Sequence, residues 1–388
     1  MWEHGLSDVD VQGLEHVVQA QRAGYSVLIT PNHPSHADPF VLLEASDRLG
    51  SMYFMTAWQV FAATHRVGRM VLRQHGCFSI NREGNDVRAI RQAVRILQGG
   101  RAPLVIFPEG EVLHLNDRVA PFRPGAVRIA QLAARHGHRP VAVVPCGLKY
   151  FYTDPPLPAL LDGMDRLELA VGAQAASATS LPRRLRRLGE HLLALKETEH
   201  LGEPQEGALQ QRMERLIAVV LGRLEDRYQI FQPKRTTPER VKQVRYRAIR
   251  LMESPAADAE RRAQCRRDLQ DLFLVMQLYS YPVDYLAHDA SAERLAETLD
   301  KLEEDVLGVQ RPTLRGLRRA VVAFGEPVII APEEASRRDQ DQVTRRVQVC
   351  VQQIIDSHYP QPQLVSPRPA APVTAPAAAE PISVPAMA

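Results

Sequence analysis

A chain of 388 residues, 45% hydrophobic and 24% charged, has enough apolar material for a substantial core in one large domain or two smaller ones. A formal net charge of +3 is too small to mark a nucleic-acid binder. No apolar run reaches the roughly 18 residues of a membrane span, and the opening MWEHGLSDVDVQGLEHVV lacks the basic-then-apolar pattern of a signal peptide.

Cys77, Cys146, Cys265 and Cys350 are scattered and form no CxxC. This argues against a disulfide framework or a thiolate zinc site, and for a reducing cytoplasm. YSVLIT (25–30) is a β-rich apolar run ending at Pro31 and is expected to be a buried strand. Asp38-Pro39 has the form of an N-cap followed by proline in the first turn, opening a helix through FVLLEASDRLG that stops at Gly50. CFSIN (77–81) is a short strand. NDVRAIRQAVRILQGG (85–100) carries Val87, Ile90, Val94 and Leu97 on one helical face and ends at paired glycines. PLVIF (103–107) is a second buried strand, PGAVRIAQLAARHG (124–137) another helix, and PVAVVP (140–145) a third strand.

The alternation implies an α/β fold, a mixed and partly parallel sheet flanked by helices. From about residue 155 the character changes. Residues 181–310 are mostly helical by pattern, broken at GEPQEG, QPKRTTP and ESPAAD. RRAVVAFGEPVIIAP (318–332) returns to strand, and DQVTRRVQVCVQQIIDS (341–357) is a final helix. The expected layout is an α/β core over 1–155, a long helical insertion over 156–316, and the closing strand and helix of the core over 317–358. The Pro/Ala-rich tail, 359–388, is expected to be disordered.

The densest chemistry lies in LITPNHPSHADPF (28–40), just past a strand, where α/β folds place reactive groups. Three readings compete. Asp38 is a helix cap beside a satisfied loop histidine; or H-x-x-H-x-D is a metal site of a metal-dependent hydrolase; or a tight turn brings Asp38 to one nitrogen of His33. In the last case the other nitrogen is left to take a proton from a hydroxyl.

Motifs downstream favour the third reading. HPSHAD is H-x-x-x-x-D; GCFSINR (76–82) is a G-x-x-F-x-x-R pattern; FPEG (107–110) and VVPCGLK (143–149) follow in order, and FGEPV (324–328) comes near the end. Together they resemble the motifs of the glycerophospholipid acyltransferases, over residues 11–150 and about 318–357. The resemblance implies transfer of a fatty acyl group from acyl-CoA or acyl-carrier protein to a lysophospholipid hydroxyl, most simply 1-acylglycerol 3-phosphate. No resident cofactor or metal is implied. His33 would be the general base and Asp38 its orienting partner, with the acceptor attacking the thioester directly. Pro108, Glu109 and Gly110 match the third motif, Glu109 binding the acceptor or bracing the loop that holds His33. Arg82 would face an acceptor phosphate. Ser35 belongs to the catalytic turn, and Pro145 and Gly147 would shape the pocket. Oxyanion donors are expected among the amides near Gly110 or in the 32–36 turn.

The chain departs from the pattern where EVLH replaces T-R-S after FPEG, which removes the family's second phosphate-binding arginine and brings in Glu111. Arg118, Arg123 and Lys149 are the candidates to compensate, and Asn81 stands where an acidic residue is common. His36 is expected to be a loop residue. Lipid substrates imply contact with a membrane surface, peripherally and on the cytoplasmic face. LPRRLRRLGEHLLALK, with Leu181, Leu185, Leu188, Leu192 and Leu195 in one stripe, is either an interfacial helix or a packed one. LFLVMQLYSYPVDYL (272–286) either lines an acyl groove or forms helix core. A non-catalytic lipid-binding protein is the remaining alternative.

Overall fold

The apolar run near residue 28 becomes the central strand around which the molecule is arranged. The computed structural model describes residues 5–82, 86–173, 180–233, 235–286, 290–337 and 339–358. The tail expected to be disordered lies outside the described residues.

The first part of the chain forms β1 (Leu6–Gln12), α1 (Leu14–Arg22), β2 (Ser26–Pro31), α2 (Asp38–Leu43), α3 (Ser46–Leu49) and β3 (Tyr53–Ala57). It continues through α4 (Trp58–Ala63), α5 (Arg66–Gln74), β4 (Cys77–Ile80), α6 (Val87–Gly99), β5 (Leu104–Val105), α7 (Gly125–Gly137) and β6 (Val141–Tyr152). Six helices follow: α8 (Leu157–Ala170), α9 (Leu181–Leu201), α10 (Leu209–Tyr228), α11 (Thr237–Met252), α12 (Ala259–Tyr279) and α13 (Ala292–Leu307). The chain then returns through β7 (Arg318–Phe324), β8 (Val328–Ile330) and α14 (Gln340–Ser357).

Among the described residues eight strands join one mixed sheet, ordered β1-β7-β6-β2-β5-β3-β4, with β8 also paired to β6. β2 runs parallel to β5 and β6, whereas β7 and β8 run antiparallel to β6. Every residue of β2 is buried, as expected for a strand covered by helices on both faces. Its alternation separates two cores. Leu28 packs with Ala93, Leu97, Ala130 and Val347 from α6, α7 and α14. Val27 and Ile29 pack with Val17, Val41 and Leu42 from α1 and α2. Each valine, leucine or isoleucine among them contributes about 1.5–3 kcal/mol on burial.

Two further apolar clusters hold the helices between β6 and β7. Leu160, Met164, Leu188 and Leu299 join α8, α9 and α13. Leu216, Leu221, Val244 and Val275 join α10, α11 and α12.

Three local expectations are corrected. The helix expected over 38–50 is two short ones, α2 and α3, with a turn at Glu44–Ala45. The third strand runs on past Pro145 to Tyr152, because CGLKYFY keeps pairing with β7. In α6 the row facing the sheet is Ala89, Ala93 and Leu97, whose small members let the helix approach closely, and Val87 is left exposed. Of the two readings of the α9 stripe the packed one holds for Leu181, Leu185 and Leu188, which are buried against α8 and α13, while Leu195 at the far end is exposed. Leu272 and Val275 of the 272–286 segment are likewise buried, in the α10–α12 cluster.

Candidate active site

β2 ends at Pro31, and the next two side chains take opposite tasks. Asn32 is buried and copies a peptide unit: its Nδ2 donates to the Leu148 carbonyl at 3.0 Å, and its Oδ1 accepts the Leu148 N–H at 2.7 Å. This fixes the chain on β6 just before His33. The His33 ring stacks on Phe107, centroids 4.0 Å apart, and is partly exposed.

Asp38 opens α2, but its side chain does not cap that helix. Instead the fully buried carboxylate faces back along the chain. Oδ2 lies 2.7 Å from His33 Nδ1 and accepts the Ser35 N–H at 3.0 Å, while Oδ1 accepts the Tyr150 hydroxyl at 2.5 Å. The turn between them is closed by the Asp38 N–H on the Ser35 carbonyl and by Ser35 Oγ, which accepts from Ala37 N–H. Burial and the neighbouring Asp38 carboxylate push the Tyr150 phenol well above its ordinary pKa, so it stays a donor. Two acceptor oxygens therefore meet three donors, and one imidazole nitrogen remains clear of the carboxylate.

The FPEG loop braces this turn. Glu109 is buried; its carboxyl accepts the N–H groups of Ala120, at 3.2 Å, and of His33. The His33 carbonyl accepts the Leu113 N–H at 3.2 Å. Burial pushes the Glu109 carboxyl up from 4.5 to about 8, against the pull of those two N–H groups and with a small further push from Asp38. Of the two roles considered for Glu109, its contacts are those of the brace. Pro108 is buried and accepts the Arg123 N–H through its carbonyl.

Two guanidinium groups meet at Gly110. Arg82, which follows β4, donates to the Gly110 carbonyl. The Arg123 guanidinium packs on the Gly110 Cα so closely that a Cβ would lie 2.9 Å from its Cζ; Gly110 also has φ +84°, where a side chain is strained. Arg123 lies 3.4 Å from Glu111, both about two-fifths exposed. The other candidate cations are engaged elsewhere. Arg118 makes a two-point contact with Asp284, both bonds 2.8 Å, and Lys149 is buried 3.1 Å from Asp117 with its Nζ donating to the Ile355 carbonyl.

Pro145 and Gly147 lie inside β6, Pro145 in register with Thr30 near the end of β2. A Cβ on Gly147 would meet the Ile354 side chain at 2.6 Å, so the glycine is where α14 packs onto the sheet. The Pro145 carbonyl accepts the Gly325 N–H at 2.9 Å. The amides of Gly110 and Ser35 are taken by the Phe107 carbonyl and Asp38, so neither serves as a ready oxyanion donor. His36 reaches out of the turn to α13, its Nε2 2.9 Å from Glu304 Oε1.

Sequence reasoning missed Tyr150, Phe107 and Asn32. Tyr150 was within reach: strand parity from Cys146 through Leu148 directs residue 150 to the face that α2 covers. A protein-family model described as acyltransferase matches residues 8–149, and no curated protein matches the chain. The match covers β1 through most of β6 and stops before α8.

Proposed function

We propose, from the match of residues 8–149 to the acyltransferase family model, that the chain moves a fatty acyl group from a thioester, acyl-CoA or acyl-carrier protein, to the hydroxyl of a lysophospholipid. The observation that carries the reading is the His33–Asp38 pair at 2.7 Å, with the carboxylate fully buried and held by two further donors. Asp38 keeps the proton on Nδ1 and stabilises the imidazolium that forms in the transition state. Nε2 takes the proton of the acceptor hydroxyl as its oxygen bonds to the thioester carbonyl carbon. The tetrahedral intermediate collapses, the C–S bond breaks, and the departing thiolate takes the same proton from Nε2. No acyl-enzyme is needed, since the acceptor is itself the nucleophile.

The metal-hydrolase reading of the HPSHAD stretch is less well supported, because Asp38 Oδ2 and His33 Nδ1 are bonded to each other. For the acceptor headgroup, Arg82 and Arg123 are the assigned cations. Both border Gly110 on the loop that braces His33, and a fixed pair of guanidinium groups suits a phosphate monoester. 1-Acylglycerol 3-phosphate is the first acceptor to try.

Approach to lipid is assigned to α4 and α5. No helix among the described residues is long and apolar enough to cross a membrane, so contact with a bilayer is peripheral in this reading. Val67, Met70 and Val71 form an exposed stripe at helical spacing, Arg66, Arg69 and Arg73 run beside it, and Trp58 and Val60 of α4 are exposed next to it in the chain. An apolar stripe with a basic flank matches the interface of an anionic bilayer. On the cytoplasmic side, this surface would bring the acceptor loop to the inner leaflet.

The deciding assay follows thiol release from a long-chain acyl thioester with and without each acceptor. The wild-type chain is expected to accelerate release when 1-acylglycerol 3-phosphate is added, and His33→Ala to abolish that acceleration while keeping its circular dichroism spectrum. Equal turnover in the variant removes the general-base reading, and failure of every lysolipid and alcohol acceptor removes acyl transfer. Flotation with phosphatidylglycerol vesicles checks the surface: Val67→Asp with Met70→Asp should weaken binding, and undiminished binding rejects α5.

A further inference from the structure

Beside the catalytic turn, three ligand-type side chains converge without a role in the chemistry above. His36 comes from the turn after β2, His114 from the loop after β5, and Glu304 from α13. One ligand atom of each, a ring nitrogen of either histidine and a carboxylate oxygen, lies within 4.8 Å of the other two. Glu304 Oε1 is 2.9 Å from His36 Nε2 and Oε2 is 3.1 Å from His114 Nε2, and the two imidazoles meet edge to face at 69°.

Two observations separate this group from an ordinary ion pair. The first is that His114 is buried, with Glu304 Oε2 beside its Nε2, so that one carboxylate is shared between two imidazoles. The second is that His114 sits at φ +53°, one of three described non-glycine residues at positive φ. Strained backbone of this kind persists where the surroundings over-determine it, which is common at ligand-holding positions.

A cavity of about 160 Å³ opens beside the group, lined by His36, His114 and Ser35 together with Arg311 and Arg318. We propose that His36, His114 and Glu304 form a binding site for a divalent cation of the zinc type. Two imidazoles and one carboxylate are a donor set suited to a tetrahedral ion, with bonds of about 2.0–2.2 Å and the fourth position left to water or an anion. Oxygen-seeking magnesium and calcium fit it poorly. The arginines of the cavity favour an anionic fourth ligand. The ion would fasten α13 to the turn that carries His33, so its role is to position the turn, and it takes no part in the proton transfer. The proposal does not depend on acyl transfer being the reaction.

The test uses the full chain, stripped with a chelator, dialysed, and titrated with zinc chloride against a chromophoric indicator. One zinc per chain is expected, with affinity falling at least about a hundredfold in His36→Ala and, separately, in Glu304→Gln. Both side chains are partly exposed and their loss should leave the fold intact, checked by circular dichroism; His114→Ala is not needed. Cobalt substitution should give visible bands of a nitrogen and oxygen site with no thiolate charge-transfer band. Zinc should raise the thermal midpoint of the wild type and not of Glu304→Gln. Sub-stoichiometric binding by the wild type, equal affinity in either variant, or a thiolate band would each overturn the assignment.

Discussion

Replacing Asp38 with Asn is the sharpest probe of the proposed His33–Asp38 pair. Oδ2 receives two N–H groups, from His33 and Ser35, and Oδ1 receives the Tyr150 hydroxyl. An asparagine amide turned with its NH2 toward Ser35 would set a donor against a buried backbone donor, at a cost of about 1–3 kcal/mol. The side chain therefore keeps its oxygen on the His33 side, and Tyr150 rotates its proton away to accept from the NH2. Geometry survives and the charge is lost. A charge-assisted hydrogen bond exceeds a neutral one by about 1–2 kcal/mol, and the Coulomb attraction at an effective dielectric constant of 20 and about 4 Å is ~4 kcal/mol. The transition state should lose about 2–4 kcal/mol, or roughly thirty- to a thousandfold in kcat, with KM little changed. Thiol release at saturating acceptor measures it. A loss under about threefold would mean the carboxylate is not coupled to the proton transfer. A loss as complete as that of His33→Ala would mean that the amide has flipped and placed the imidazole proton on Nε2, so that Ser35 does not hold the orientation.

Three further outcomes follow from the same contacts. Tyr150→Phe removes the donor to Asp38 Oδ1 inside the core, so it should cost about 1–3 kcal/mol of stability in denaturant titration and lower kcat less than Asp38→Asn does. Glu109, raised to about 8 by burial, keeps its proton in the folded state between pH 4.5 and 8, where the unfolded chain has released it. Its contribution to stability is therefore lost as pH rises through that window, and the fall should be shallower in Glu109→Gln when denaturation midpoints at pH 5.5 and 8.5 are compared. Glu111→Gln frees Arg123 from its half-exposed partner, which should lower KM for a phosphorylated acceptor by up to about fivefold and leave a non-phosphorylated one unaffected; equal KM for both would separate Arg123 from the phosphate.

The alternating strands and helices of the sheet were legible because period-two and period-3.6 patterns survive where each element has one covered face. The run at 25–30, the helix ending at Gly99–Gly100 and the late strands near 320 are of this kind. Legibility failed where the tertiary partner set the outcome. α9 carries the same leucine stripe whether it meets lipid or α8, and only the packing of Leu185 and Leu188 distinguishes them. Asp38 before Pro39 has the local form of a cap, but a cap bond would serve an amide in its own helix, and His33, Ser35 and Tyr150 together outcompete it. Among the three cations weighed against the missing arginine, sequence spacing gave no ranking. Burial of Lys149 beside Asp117 and the pairing of Arg118 with Asp284 leave Arg123 as the one adjoining Gly110. His36 was unreadable for a different reason: its partner Glu304 comes from the far side of the helical segment.

That segment is tied to the His33–Asp38 pair through one stripe of α13. Glu293, Glu297 and Glu304 are spaced by four and seven residues, so they share a helix face, while Leu295, Leu299 and Leu302 turn to α8 and α9. Glu293 accepts the Tyr152 N–H at 3.1 Å and Glu297 the Asn116 N–H at 3.0 Å. Asn116 in turn holds both sides of the Tyr150 peptide, accepting its N–H at 2.7 Å and donating to its carbonyl at 2.8 Å. A continuous line therefore runs from Glu297 through Asn116 and Tyr150 to Asp38 and His33. Asn116→Ala would strand two buried backbone groups, destabilising the fold by about 2–5 kcal/mol, and it would also loosen the hydroxyl that Asp38 accepts. General loss of packing and loss of this positioning separate in a double-mutant cycle. Well below the unfolding midpoint, Asn116→Ala should lower kcat in the wild-type background and add nothing further in Tyr150→Phe, although it destabilises both. Equal losses of kcat in the two backgrounds would show that Asn116 acts on turnover by some route other than the tyrosine.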